Sequence, residues 1–412
     1  MWTHPHPTGA HATTDALARR IARDIADLCD PGDRSPGTER NRAAVEHVSE
    51  RMREYGLAVE RVAFEVPEWR YGTSSVDVAG FRSELHPGPF SPRAHGTGRL
   101  AVVRTADEIP SAIAPDAVLL LCGDIALEQL TPRNYPFYTD PGHTAILDAL
   151  EAARPLAIIA LTDRSAMTAA MSPFPLIEEA GFDVPHAYLH VSDGAPLAEH
   201  DGEQAHVRID SEVHPSVGVQ TIGVRPGSRP DAGTVVVCAH IDTKPDTPGA
   251  IDNAAGVAVL LAAAQLLRDR RVGPTVEFVP FNGEDHAMAP GELAYLAVRP
   301  DLTDVRLAVN VDAAGLAGGP TAYSGYGIDS GTEVLLASLA EGFPRIAAGP
   351  SWPASDHMVF AMRGVPAVAL TSSDLDAVMH DHAHTPGDVP SLLDPDVLSE
   401  TARFMAGLIE SL

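Results

Sequence analysis

Several histidines and carboxylates in this chain lie where they could share a metal ion. His240 is followed two residues later by Asp242, and Asp252 opens a long Ala-rich stretch. Glu284 and Asp285 follow Asn282-Gly283, Asp312 follows VRLAVNV, and His380, His382 and His384 crowd one short loop. Imidazole nitrogen and carboxylate oxygen are the donors that zinc and similar divalent ions take from proteins. Two ions bridged by one carboxylate would use two histidines and three carboxylates. His240, Asp252, Asp285, Asp312 and His384 make up such a set. Three carboxylates and a bridging hydroxide neutralise two divalent cations, which offsets most of the cost of burying the charge. Glu284 is then left beside a ligand, free to act as a base.

Each residue also has a plain structural reading. Asp252 is placed to be the N-cap of the helix that follows it. Glu284-Asp285 could be a solvated turn, and the 380–384 loop a surface loop. Joint occurrence, in one order and at consecutive strand ends, favours the metal reading.

The surrounding pattern supplies those strand ends. TVVVCAH (234–240), TVEFVPF (275–281) and VRLAVNV (305–311) read as buried strands, alternating with helices over 253–269 and GELAYLA. VGVQTIGV (217–224) and PAVAL add strands, while GTEVLLASLAEG and a closing DPDVLSETARFMAGLIESL add helices. Alternation of this kind predicts an α/β fold: a mainly parallel, doubly wound sheet flanked by helices. Active sites in such sheets lie at the C-terminal strand ends, where these residues stand. Two amphipathic helices, 14–28 and 39–55, and a strand at 57–66 lead the chain. Between about 70 and 213, short β-like runs alternate with Pro/Gly loops around one helix at 143–154. The expected organisation is therefore 1–69 as the first part of a catalytic domain, 70–213 as an inserted smaller β-rich domain, and 214–412 as the rest of the catalytic domain.

Composition limits the function classes. The chain has 412 residues, 29 basic against 56 acidic, for a net charge of −27. Such an excess repels phosphate backbones, so nucleic acid is not an expected partner. No apolar stretch reaches the ~20 residues needed to cross a bilayer, so no membrane is expected either. Three cysteines (Cys29, Cys122, Cys238) cannot form a disulfide framework and read as buried thiols. The N-terminus lacks an apolar signal-like core. A cytoplasmic protein is expected, with a homo-oligomer left open. No G-x-S-x-G, H-E-x-x-H or P-loop motif is present.

The segments AHIDTKPDTPGAIDNAAGVAVLLAAAQLL, FNGEDHAMAPGELAYL, NVDAAG, SDHMVF and HTPGDVPSLLD together resemble the di-zinc aminopeptidases of metallopeptidase clan MH. That clan also holds leucyl aminopeptidases, glutamate carboxypeptidase and the glutaminyl cyclases. The resemblance covers about 14–66 and 216–412. It implies that His240, Asp252 and Asp312 hold one zinc, and that Asp252, Asp285 and His384 hold the second. It makes Asp242 the partner that orients His240. Glu284 becomes the general base, taking a proton from the attacking water and passing it to the leaving amine. It selects His384 over His380 and His382 because the last ligand directly precedes Thr-Pro-x-Asp, here 385–388. The insert resembles the protease-associated domain of some members, which covers the cleft.

The chain departs from the family at several points. Asp285 stands where Glu is frequent, Ala383 where many members have Tyr, and Thr221 where the family has Asn. Without the Tyr, oxyanion stabilisation falls to the zincs or to another donor, for which His357 and Tyr323 are candidates. The expected activity is a zinc exopeptidase, an aminopeptidase on short peptides or aminoacyl amides. A carboxypeptidase or N-acyl-amino-acid amidohydrolase is the alternative, and would need an Arg cluster to clamp a carboxylate. Only Arg345 and Arg363 were candidates for that. A glutaminyl cyclase uses one zinc and does not call for five ligands. A non-catalytic receptor of this fold would have lost ligands or base.

Overall fold

The computed structural model describes residues 15–109, 116–126, 130–133, 135–137, 139–162, 181–229, 231–286 and 288–412. The N-terminal stretch through residue 14, including the first residue of the expected 14–28 helix, lies outside them. Helices α1 (Ala16–Cys29) and α2 (Glu39–Glu54) lead into the long strand β1 (Ala58–Tyr71). Seven strands follow: β2 (Ser74–Val78), β3 (Phe81–Pro87), β4 (Ala94–Val103), β5 (Val118–Leu121), β6 (Ala157–Thr162), β7 (His186–His190) and β8 (Gln204–Ile209). Helix α3 (Pro141–Ala153) lies between β5 and β6. The chain then returns through β9 (Ser211–Arg225) to β10 (Thr234–His240), α4 (Ala255–Leu267), β11 (Thr275–Phe281), α5 (Pro290–Val298) and β12 (Val305–Val311). It ends with β13 (Thr321–Tyr326), α6 (Ser330–Ala340), β14 (Ile346–Ala348), α7 (His357–Ala361), β15 (Ala367–Ser372) and α8 (Pro395–Glu410).

Eight strands form one sheet in the order β1-β9-β11-β10-β12-β15-β13-β14. Its centre, β11-β10-β12-β15, is parallel, and the pairings β1–β9, β9–β11 and β13–β15 are antiparallel. Buried runs such as VVVCAH suit central strands covered on both faces. Val235, Val237 and Ala239 pack with residues of α1, α2, α4 and α8, whereas Val236 and Cys238 pack against Tyr295 and Phe360. Successive β10 side chains thus enter two cores on opposite faces. Helix α4, the most apolar segment, is the buried middle of the first core.

Strands β2 to β8 close into a separate barrel in the order β2-β3-β7-β6-β5-β4-β8. Val76, Leu100, Leu120, Ile159 and Val207 pack together in one of its cores, and Leu147 and Leu150 of α3 cover a second. Strands β2 and β3 carry no marked apolar run. They meet at Ala79-Gly80, both with positive φ (51° and 85°), a tight hairpin that lacks the usual Asn-Gly signal. The expected boundaries at 69/70 and 213/214 fall inside paired strands, because β1 and β9 run antiparallel from Ala58↔Val224 to Tyr71↔Ser211. This two-stranded ribbon is continuous with the large sheet at one end and leads into the barrel at the other. Cys29 and Cys238 are buried as expected, but Cys122 is only half-buried.

Candidate metal centre

The central strands end together. His240 pairs in register with Phe281, and Cys238 with Asn310. The residues that leave β10, β11 and β12 therefore meet at one rim of the sheet. His240 is the last residue of β10, Glu284-Asp285 begin the loop after β11, and Asp312 directly follows β12. His384, with φ of 59°, reaches the same rim from the loop before α8.

Asp252 links the group. Its Oδ1 lies 3.0 Å from His240 Nε2 and its Oδ2 3.0 Å from His384 Nε2. Asp312 Oδ1 lies 3.3 Å from His240 Nε2, and Asp285 Oδ1 3.0 Å from His384 Nε2. One carboxylate thus faces two histidines, each of which has a further carboxylate of its own. All five expected ligands converge. Their solvent exposure is low, at 1% for the His240 side chain, 5–7% for the three carboxylates and 18% for His384. His380, by contrast, is 89% exposed and paired with Asp381.

Asp252 does not cap the helix after it, which corrects the plain reading of that residue. Its backbone is non-helical (φ −126°, ψ 83°), and Asn253 Oδ1 accepts from the Gly256 N–H instead. Both Asp252 carboxylate oxygens are left to face the histidines. The loop is held from behind by Asp388, whose Oδ1 accepts from the Ile251 N–H (2.7 Å) and Oδ2 from the Asp252 N–H (3.1 Å). Burial pushes Asp388 up to about 7. Arg34, fully buried, donates to the carbonyls of Ile241, Leu28, Pro248 and Gly249, pinning both ends of the 241–249 loop.

Asp242 acts differently from expectation. His240 Nδ1 donates to the backbone carbonyl of Asp242 (3.2 Å), while the Asp242 carboxylate stands 3.8 Å from that nitrogen. That carboxylate accepts instead from the N–H groups of Gly283 (2.8 Å), Glu284 (3.2 Å) and Asp285 (3.1 Å). The main chain of Asp242 orients the histidine, and its side chain holds the loop that carries Glu284. Burial pushes Asp242 up to about 6. Lys244 donates to the Asp285 carbonyl on the same side.

The donor set suits a cation. His240 Nε2, Asp285 Oδ2 and Asp312 Oδ1 are buried with no hydrogen-bond partner. A buried polar atom left so costs about 1–3 kcal/mol, and a shared ion removes that cost for all three. His240, Asp252 and Asp285 can each aim one donor atom within 4.8 Å of the others. The charge balance agrees. Burial opposes it, yet Asp285 and Asp252 pull His384 up to about 10, and Asp312 and Asp252 raise His240. Burial alone would raise Asp252 and Asp285, but the histidines facing them hold both below the usual carboxylate range. The site demands positive charge. A second grouping, Asp24, Asp27 and His47, is different, because Arg20 and Arg51 already pair with Asp24.

Glu284 stands at the edge of this centre, with Oε2 3.9 Å from His240 Nε2 and a side chain 23% exposed. Burial, then the neighbouring carboxylates, raise it. Of the two oxyanion candidates, His357 is engaged elsewhere. His357 Nε2 lies 3.0 Å from the Trp352 carbonyl, and its ring is held below the usual range, near 4, by burial. Tyr323 stacks on Phe404. Arg345 pairs with Asp394 and Glu400, and Arg363 packs over Phe137 and donates to Val359. Neither arginine clamps the site. His286, two residues beyond Glu284, is buried against Phe90, and burial pushes it down to about 3. Two further buried acids, Glu292 and Asp356, were not marked by the sequence reading. They sit inside GELAYL and SDHMVF, with nothing in their spacing to distinguish them.

Residues 220–409 match the model of peptidase family M28. That stretch contains His240, Asp242, Asp252, Glu284, Asp285, Asp312 and His384. Leucine aminopeptidase 1 of Trichophyton rubrum is 26% identical over 222 residues, 46% of this chain and 57% of the relative. Leucine aminopeptidase 1 of Trichophyton equinum is 26% identical over 236 residues, 50% of this chain and 61% of the relative. The chain thus matches less than two thirds of the length of these relatives. Among solved structures, an aminopeptidase from Aneurinibacillus sp. strain AM-1 superposes with a TM-score of 0.74 at 17% identity, over 95% of this chain and 93% of that one. A zinc aminopeptidase from Bacillus subtilis gives 0.73 at 19% identity, over 96% and 94%. The glutaminyl cyclase of Fimbriiglobus ruber gives 0.52 at 15% identity, over the full length of both. The chain shares a mixed α/β fold with these proteins.

Proposed function

We propose that this protein is a zinc-dependent exopeptidase, an aminopeptidase that hydrolyses the N-terminal residue of short peptides. The observation that carries the reading is Asp252, set between His240 and His384 amid buried donor atoms without partners. Its match to family M28 and the aminopeptidase names of its relatives support it. His240, Asp252 and Asp312 would hold one divalent ion, and Asp252, Asp285 and His384 a second, with zinc as the metal. When bound, such ions polarise the scissile carbonyl and make water a nucleophile at neutral pH.

The chain's own residues then do the following. Asp242 fixes the backbone of Glu284 through the three N–H bonds, so the carboxylate is held at the rim. Glu284 accepts a proton from the attacking water and returns it to the leaving nitrogen. The carboxylates around the centre attract the free ammonium of the substrate N-terminus. We read the sheet with helices on both faces as a doubly wound catalytic layer made of 1–69 and 214–412. The barrel within 70–213 then acts as a lid that admits short peptides and excludes folded chains. Arg345 and Arg363 are tied elsewhere, which sets the carboxypeptidase or N-acyl amidohydrolase alternative behind this one.

The test is a panel of aminoacyl and N-acyl-aminoacyl chromogenic amides, assayed with and without a chelator. Cleavage of the free-amine substrates alone, lost on chelation and restored by zinc, is the expected result. Cleavage of N-acyl substrates alone would move the protein to the amidohydrolase class.

A further inference from the structure

A cavity adjoins the proposed metal centre, with Glu284 among the residues that line it. Its volume is about 110 Å³, against the ~10–15 Å³ that a single water needs on that measure. It is therefore roomy enough for a chain of several heavy atoms. Phe137, Met358 and Met362 line it with apolar side chains, and the acidic residues Glu284, Glu292 and Asp356 line it too. Asp356 is 1% exposed, and neither of its carboxylate oxygens has a hydrogen-bond partner. Glu292 is 2% exposed and its Oε2 has none. No residue lining the cavity is basic among those described. The nearby Arg363 is occupied by the Phe137 ring and the Val359 carbonyl.

Two buried acids without partners are unfavourable unless something binds them. A donor group would satisfy them in their ionised form, and a positively charged one satisfies both acids best. The walls say what the donor is attached to. Two methionines and an aromatic ring accommodate a methylene stem, as long cationic side chains bury their stems while keeping the charged head with polar partners. We propose that this cavity is a subsite for a substrate side chain with an aliphatic stem and a cationic end, so that peptides beginning with lysine or arginine are preferred. The inference rests on the aminopeptidase reading for its biological meaning, since Glu284 also lines the cavity and the side chain of a first residue would enter beside it. An apolar side chain of the same length would pack against the walls and leave Glu292 and Asp356 unpaired. Discrimination by an unpaired buried polar group is much stronger than by a missing methylene.

The experiment measures binding without turnover. Lysinol, norleucinol and alaninol are amino alcohols with no amide to cleave, and they share the free α-amine. Their affinities for the full-length zinc-loaded protein are measured by calorimetry. Lysinol is expected to bind at least tenfold more tightly than norleucinol. In Glu292→Gln and Asp356→Asn that ratio falls at least threefold while norleucinol binding changes little, and in the double variant it approaches one. Norleucinol affinity doubles as the folding control. A wild-type ratio near one overturns the proposal outright, whatever the variants do. So does a ratio that survives both substitutions, or alaninol binding as tightly as lysinol, which would place only the α-amine at these acids. Cleavage of lysyl against leucyl amides reads the aminopeptidase assignment separately. A protein that binds lysinol selectively but cleaves neither amide would sink that assignment and leave the cation subsite standing.

Discussion

The carboxylate of Asp242 accepts a hydrogen bond from the backbone N–H of Glu284, together with those of Gly283 and Asp285 on either side. Two residues upstream of Asp242, His240 donates its Nδ1–H to the Asp242 main-chain carbonyl. A single residue therefore sets the ring of one proposed metal ligand with its backbone and the loop of the proposed base with its side chain. The H-x-D spacing at the end of β10 and the N-G-E-D turn after β11 are one unit, joined across parallel neighbouring strands.

Asp242→Asn tests that unit. The amide keeps one acceptor oxygen, while its NH₂ group faces at least one of the three N–H donors and repels it. His240 keeps its main-chain partner, so metal binding at that ligand should change less than turnover. Loss of such a supporting partner ordinarily costs about 10–100-fold in activity or metal affinity. The expected outcome is a kcat loss in that range with zinc content near the wild-type level. Loss of zinc with unchanged specific activity per bound zinc would show that the carboxylate serves the metal and not the loop.

Glu284→Gln and Asp285→Asn should separate base from ligand. Gln keeps the size of Glu and one acceptor oxygen but takes no proton at neutral pH. Turnover should fall by roughly 10²–10⁴-fold with both metals retained. Asn at 285 removes the charged oxygen that faces His384, so one metal should be lost and excess zinc should restore part of the activity. Metal analysis alongside a peptidase assay reads both. Near-normal activity in Glu284→Gln would end the assignment of the base.

Asp388 supports Asp252 from behind, and Asp388→Asn should weaken the loop. One of the two N–H donors, of Ile251 or Asp252, would face an NH₂ group, leaving a buried donor unsatisfied at a cost of about 1–3 kcal/mol. Thermal unfolding should show that loss, and chelator competition should show weaker zinc retention, because Asp252 is the carboxylate shared by both histidines. An unchanged melting temperature and unchanged zinc affinity would remove Asp388 from the site's support.

His240, Asp285 and Asp312 were legible because they stand at or just past strand ends, whereas His384 was singled out from its His-rich loop only by the family resemblance. TVVVCAH, TVEFVPF and VRLAVNV match β10, β11 and β12 residue for residue, since strands covered on both faces are continuous apolar runs. What lay outside the pattern was harder to read. β2 and β3 alternate polar and apolar residues through a turn at Ala79 that only the folded chain reveals. β13 (TAYSGY) is short of branched side chains and holds a glycine. The division of labour within Asp242 could not be read either, because spacing places a residue near a histidine without telling which of its atoms makes the bond. Glu292 and Asp356 were hidden for a related reason. A lone acid in a helix or a loop looks solvated until the tertiary structure closes over it.

The barrel carries its own pH dependence, away from the metal centre. His186 on β7 is fully buried, its Nδ1–H donates to the Val184 carbonyl (2.9 Å), and its Nε2 has no partner. A Cβ on Gly88 would lie 1.9 Å from the His186 ring, so the ring is packed directly against that backbone. Burial pushes the imidazole down to about 4, against about 6.5 in an unfolded chain. The folded state therefore disfavours the proton and the unfolded state takes it first. Stability from this group is fully present above about pH 6.5 and is lost progressively as pH falls toward 4, where the loss levels off. At ~1.4 kcal/mol per pH unit over about 2.5 units, the loss totals about 3–4 kcal/mol. His186→Leu keeps the bulk, forfeits the Val184 hydrogen bond at every pH, and has no proton to gain. In urea unfolding of the barrel between pH 7.5 and 4.5, the wild type should start the more stable of the two and lose its advantage on acidification. Parallel pH curves for the two proteins would show that the imidazole gains its proton as easily folded as unfolded.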